Sequence, residues 1–200
     1  MSPAPTITDA DGERRILDAA DALFAARGVT DVTMADVRDA AEVSMRRLYR
    51  FVDGKPELVA SWLADRDRRW LDRFDTAVDR RLADGATPVD AVFDVLAEVL
   101  VDGDYRGCAF LRTLTELSPL PEPIRAVIVA HKRAFAQSLA LRLVTADAGR
   151  GDGVDGDGLL LLVDGAITHA ALQRDLTPIR RAQRLAHLLL TPLPITKDHA

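Results

Sequence analysis

Apolar residues along this chain return with the period of a helix, and nowhere does the pattern alternate convincingly with period two. Ile16, Leu17, Ala20, Leu23 and Phe24 line one face of a first helix, which Gly28 is placed to end in a left-handed cap. Thr33 is the expected N-cap of a short second helix with Met34, Val37 and Ala41 inward, and Asp36 stands where a capping box has Glu or Gln. Ser44 is the expected cap of a third helix over about 45–51, broken by the Asp-Gly pair of "VDGK". A long fourth helix follows from Pro56, its stripe running through Leu58, Trp62, Leu63, Trp70, Phe74, Val78 and Leu82, with the charged "ADRDRR" between two apolar stretches.

The second half continues in the same way. Thr87 and Pro88 supply a cap and a first residue for a fifth helix to about 101, and "CAFLRTLTEL" is a short sixth. A seventh, through Ile124, Val127, Ile128, Phe135 and Leu139, is expected to stop near Gly149, where "GRGDGVDGDG" reads as a flexible loop. An eighth helix over about 159–175 and a ninth, capped by Thr177 and begun by Pro178, complete the chain. The expectation is an all-α protein of nine helices: a tail over 1–11, a three-helix module over 12–56 and a larger helical body over 57–200, with the switch between bodies falling inside the fourth helix.

Composition narrows the function classes. Of 200 residues, 48% are hydrophobic and 28% charged, enough for a sizeable core, and the net charge of −5 argues against a surface that coats nucleic acid everywhere. It leaves room for a local basic patch. A single cysteine, Cys108, excludes an internal disulfide and points to a reducing compartment, and with no secretory-type start the expected location is cytoplasmic. The apolar run at Leu159 to Val163 is far short of the roughly 20 residues a membrane span needs.

The basic patch is "VSMRRLYRFVDGK", 43–55, with three arginines, a tyrosine and a lysine. Two short helices joined by a tight turn, the second opening on Ser44, form the arrangement of a helix-turn-helix DNA reader. Ser44, Met45, Arg46 and Arg47 would face base edges, where Arg donates to guanine and Met touches a thymine methyl. Tyr49 and Arg50 would reach flanking phosphates. Lys55 and Thr33 sit at helix N-termini, which favour a phosphate oxygen.

The stretch "TMADVRDAAEVSMRRLYRFVDGKPELV" resembles the DNA-binding domain of the TetR family of transcriptional regulators, through Thr33, Val37, Ala41, Val43, Ser44, Leu48, Tyr49, Phe51, Lys55, Glu57 and Leu58. The resemblance covers the first quarter of the chain. It implies a homodimer joined through its last two long helices, a pseudo-palindromic double-stranded operator, and a variable body that takes a small-molecule effector. A repressor is the expected form. Three positions depart from the pattern: Glu42 where the turn usually has Gly, Arg38 where a small residue is usual, and Arg46 where Gly is common. A side chain at a positive φ in that turn would cost about 1 kcal/mol.

Candidates for the effector pocket are Phe93, Cys108, Phe110, Glu116, His131 and Phe135, with Arg106 a possible influence on the Cys108 thiol. Leu162, Ile167 and Leu172 of the eighth helix and Ala182, Leu185 and Leu189 of the ninth are candidates for the dimer interface, since the eighth helix is apolar on more faces than one neighbour covers. No metal or cofactor is expected: the four histidines lack ligand partners at suitable spacing, Asp152, Asp155 and Asp157 miss EF-hand positions, and no nucleophile-elbow, P-loop or dinucleotide motif occurs. The chain is therefore not expected to be an enzyme. Two alternatives stay open on the residues alone, an interaction protein and a bundle enzyme that keep the helix-turn-helix without operator binding.

Overall fold

The structure, a computed structural model, describes residues 8–101, 107–143 and 156–190. Among them are nine helices and no strand: α1 (Asp9–Arg27), α2 (Met34–Ala40), α3 (Met45–Phe51), α4 (Lys55–Ala83), α5 (Pro88–Val101), α6 (Ala109–Glu116), α7 (Glu122–Leu143), α8 (Gly156–Gln173) and α9 (Thr177–Leu190). The expected end of α7 near Gly149, Arg106 and most of the glycine-rich loop lie outside the described residues. No described helix is long and apolar enough to cross a membrane.

Two starts differ from the sequence reading. α1 begins at Asp9, inside the segment read as a tail, because the Thr8 hydroxyl accepts the Asp11 N–H at 3.1 Å and closes the first turn. α8 begins at Gly156, before the apolar run. A Cβ there would lie 2.4 Å from the Ala136 carbonyl oxygen of α7, so only glycine admits this approach of helix to helix.

The chain folds as two compact units. The first comprises residues 8–69 and 109–131, and the second residues 70–101, 107–108, 132–143 and 156–190. The grouping changes inside α4, between Arg69 and Trp70, and α6 joins the N-terminal helices.

In the first unit Ile16, Ala20 and Phe24 of α1, Val37 of α2, Leu48 of α3, and Leu58, Trp62 and Leu63 of α4 are buried. Phe24 and Trp62 meet edge to face with centroids 5.0 Å apart. Polar ties hold the rim of this core. The Trp62 indole N–H donates to Asp21 Oδ1 at 2.6 Å, and Arg14 forks onto buried Asp65 at 3.1 and 3.0 Å. Burial alone would raise the Asp65 carboxyl, but the Arg14 hydrogen bond and the charges of Arg14, Arg69 and Arg68 outweigh it and hold the group below the usual carboxylate range.

The second unit packs Phe74 and Val78 of α4, Val92, Phe93 and Leu96 of α5, Phe135 and Leu139 of α7, Leu159, Val163 and Ile167 of α8, and Ile179, Ala182 and Ala186 of α9 into one core. Thr87 caps α5 as expected, its hydroxyl accepting the Asp90 N–H at 3.2 Å. Asp90 in turn ties α5 to α9 by accepting from Gln183 Nε2 at 2.7 Å and meeting His187 Nε2 at 2.9 Å. At the start of α9 it is the Asp175 carboxylate, rather than Thr177, that accepts a terminal N–H, that of Thr177, at 3.1 Å.

Candidate nucleic-acid interface

Leu48 fixes the orientation of α3. It is fully buried, and Val52 just beyond the helix is nearly so, which turns Arg46, Tyr49 and Arg50, at i, i+3 and i+4, to the outside as one face. Ser44 closes the N-terminus by accepting the Arg47 N–H at 3.2 Å. Tyr49 is 51% exposed, and Arg46 is exposed with no ion partner among the described residues. Met45 is half-buried at the edge of this face.

The turn that leads into α3 has the geometry its sequence requires. Glu42 adopts φ 53, the left-handed region where glycine is usual, with its N–H donating to the Asp39 carbonyl at 3.2 Å. α2 opens on a full capping box: the Thr33 hydroxyl accepts the Asp36 N–H at 3.1 Å while the Asp36 carboxylate accepts the Thr33 N–H at 2.7 Å. The shorter Asp spans the gap that Glu or Gln usually bridges. The Thr33 hydroxyl and N–H, with Arg27 beyond, pull the Asp36 carboxyl down to about 2.

Two cations stand differently from the expectation. Arg47 is only 25% exposed: its side chain lies against Gly12 of α1, and its Nη2 donates to Asp9 Oδ1 at 3.1 Å. Arg50 donates to the same oxygen. The first turn of α1, absent from the sequence reading, thus supplies a carboxylate on which two guanidinium groups of α3 converge. Lys55 is the first residue of α4, and its Nζ donates to the Thr30 carbonyl at 3.0 Å. Burial lowers the Lys55 ammonium from its ordinary value, against the opposing charges of Asp31, Asp36 and Glu116.

The six pocket candidates are divided between the two units. Phe93 and Phe135 are buried in the core of the second unit, where Phe135 meets Trp70 and Phe74 edge to face. Cys108, half-buried in that unit, has its Sγ 3.9 Å from Lys132 Nζ, which pairs with Asp164 at 2.6 Å. In the first unit the Phe110 ring stacks on buried His131 at 3.6 Å, and His131 Nδ1 meets Asp67 at 2.6 Å. Glu116 also lies in the first unit, where its carboxylate accepts the Val29 N–H at 2.5 Å.

The dimer candidates divide as well. Ile167 and Ala182 are buried within their own chain by the packing of α8, α9 and α5, and Leu162 is partly buried. Leu172, Leu185 and Leu189 do face outward, joined by Leu161 and Leu188.

An all-α chain whose N-terminal unit presents a capped helix-turn-helix with a basic, aromatic-bearing outer face has the architecture of a DNA-binding regulator. Residues 16–61 match the family model of bacterial regulatory proteins, tetR family. Over 75 residues the chain is 39% identical to the HTH-type transcriptional repressor KstR of Mycobacterium tuberculosis (strain ATCC 25618 / H37Rv), a match that spans 38% of this chain and only about a third (32%) of the repressor. The fold is similar to that of SCO4454, a TetR-family transcriptional regulator from Streptomyces coelicolor, with TM-score 0.72 and 25% identity over 90% of this chain and 95% of that one. It is also similar to the reduced form of E. coli NemR, with TM-score 0.73 and 18% identity over 92% of this chain and 100% of that one. Over residues 16–61 the chain is thus similar to the tetR family of bacterial regulatory proteins, and its fold is similar to that of a TetR-family regulator of known structure.

Proposed function

We propose that this chain is a cytoplasmic, homodimeric transcriptional repressor that binds a pseudo-palindromic double-stranded operator through α3 and is released by a small-molecule effector. The observation that carries the reading is the outer face of α3, where Arg46, Tyr49 and Arg50 share one exposed side of a helix held from behind by Leu48. Arg46 is placed to donate to a guanine edge, and Tyr49, Arg50 and Lys55 to phosphate oxygens. Arg47 joins them by exchanging the Asp9 carboxylate for a phosphate. The name of the mycobacterial relative, a transcriptional repressor, supports repression as the mode of action.

Dimerisation is supported by the outward leucines of α8 and α9, an apolar surface that water disfavours and a second copy would cover. Two reading helices then fall on half-sites about 34–36 Å apart. Release needs an effector that prefers a state poor at binding DNA; a coupling of about 1–3 kcal/mol is typical. The second unit is the proposed site of that effector, with the Cys108–Lys132–Asp164 group as its polar feature.

Selection of duplexes from a random-sequence library by the purified protein tests the reading. It predicts an enriched motif of two inverted half-sites about one helical turn apart. A pool that stays random after selection would overturn it.

A further inference from the structure

The α1–α2 turn, which receives the Lys55 ammonium, is fastened from α6 by two side chains one turn apart. Arg112 Nη2 donates at 3.1 Å to the Phe24 carbonyl, near the end of α1, which also accepts the Gly28 N–H at 3.0 Å. Glu116 Oε2 accepts the N–H of Val29, a fully buried residue, at 2.5 Å, and the Thr30 hydroxyl donates to the Glu116 carbonyl at 3.4 Å. Arg112 Nε stands 3.4 Å from Glu116 Oε1, so the two clamp side chains also hold each other. Gly28 completes the joint. Its φ of 82 suits glycine, and a Cβ there would stand 3.1–3.3 Å from the Glu116 carboxylate atoms.

We infer that Glu116, oriented by Arg112, is a positioning residue for DNA binding, acting through the α1–α2 turn on Lys55. This inference rests on the reading of the N-terminal unit as a DNA binder. A carboxylate accepting a backbone N–H makes a charge-assisted hydrogen bond, stronger than a neutral one. Removing it leaves the Val29 N–H without an acceptor, so the turn must shift to reach water or another oxygen. Thr30, the next residue, then carries its carbonyl away from Lys55 Nζ, and Thr33 at the start of α2 follows three residues later. The DNA-facing lysine is placed by a helix that touches no DNA, some sixty residues away in sequence.

The test uses the full chain and a duplex enriched by the wild-type protein from a random-sequence library. Glu116→Ala should weaken binding about tenfold, the scale of one lost acceptor for a buried donor. Lys55→Ala, which alone should also cost about tenfold, should add little in the Glu116→Ala background, because both changes remove the same contact. Glu116→Gln keeps an oxygen for the Val29 N–H and should stay within about threefold of wild type. Amide exchange at Val29 should speed up in Glu116→Ala and not in Glu116→Gln.

Additive losses for Glu116→Ala and Lys55→Ala would overturn the inference. So would wild-type affinity in a Glu116→Ala protein whose Val29 amide exchanges faster, since the clamp would then hold the turn without bearing on DNA. Both results leave the DNA reading standing. If Glu116→Ala does not fold, Arg112→Met, which frees one of the two clamp points, should show a smaller loss with the same non-additivity toward Lys55→Ala. Failure of the wild-type protein to enrich any duplex removes the DNA reading, and this inference with it.

Discussion

α3 and α9 are both helices with one buried and one exposed side, yet what they expose is opposite. α3 shows water Arg46, Tyr49 and Arg50, while α9 shows Leu185, Leu188 and Leu189, and α8 shows Leu161 and Leu172. Exposed cations are well solvated and need a partner only for function, so the face of α3 predicts what binds there: an anion. Exposed leucines are poorly solvated and predict only that something apolar covers them. The difference teaches that the chemistry of a free face, more than its burial pattern, tells a reading surface from an assembly surface.

The largest effect should come from the leucine side. Leu172 and Leu188 are 77% and 71% exposed, so Leu172→Glu with Leu188→Glu should leave the protomer folded while splitting the dimer. With bivalence gone, operator affinity should fall by about a hundredfold or more, as ultracentrifugation and a binding titration would register together. On the arginine side, Arg46→Ala should cost about 1–3 kcal/mol of operator affinity and relax sequence preference at one base pair, with the dimer intact by size-exclusion chromatography.

Asp9→Asn should act in the opposite direction. It frees Arg47 and Arg50 from a competing carboxylate, and because the pairs are partly exposed the gain should be modest, about two- to fivefold tighter binding by fluorescence anisotropy. Glu42→Gly should relieve the left-handed backbone strain and raise stability by about 0.5–1 kcal/mol in denaturant titration, with DNA affinity unchanged. Smallest is an acid effect. The Asp36 carboxyl is lowered to about 2, so its contribution to stability is complete above the ordinary Asp value near 3.9 and fades as pH falls toward about 2; thermal melts of Asp36→Asn should lose that part of the acid dependence.

The parts written in local chemistry were legible in the sequence. Thr33, Ser44 and Thr87 announce helix starts because a hydroxyl beside free N–H groups is a short-range signal, and Glu42 announces a strained turn for a similar reason. The face of α3 became clear only in the structure, where Leu48, its one fully buried residue, orients the seven-residue helix. What stayed hidden depends on partners far along the chain. Nothing in "TLTEL" says that Glu116 reaches the Val29 N–H, 87 residues earlier, and Arg47 looks like a base reader until Asp9 and Gly12 of α1 are placed beside it. Ile167 and Ala182 match the helical period as well as Leu172 and Leu185 do; only the packing of α8, α9 and α5 separates the inner apolar residues from the outer ones.

The most direct test of the face of α3 is the salt dependence of DNA affinity for the wild-type protein and for Arg50→Ala. Affinity should fall steeply and linearly on logarithmic axes, and loss of one phosphate contact should flatten the slope by about 0.9 while the protein remains a folded dimer. A wild-type slope near zero, or the same steep slope after Arg50→Ala, Tyr49→Phe and Lys55→Ala alike, would place the DNA elsewhere or nowhere on this chain.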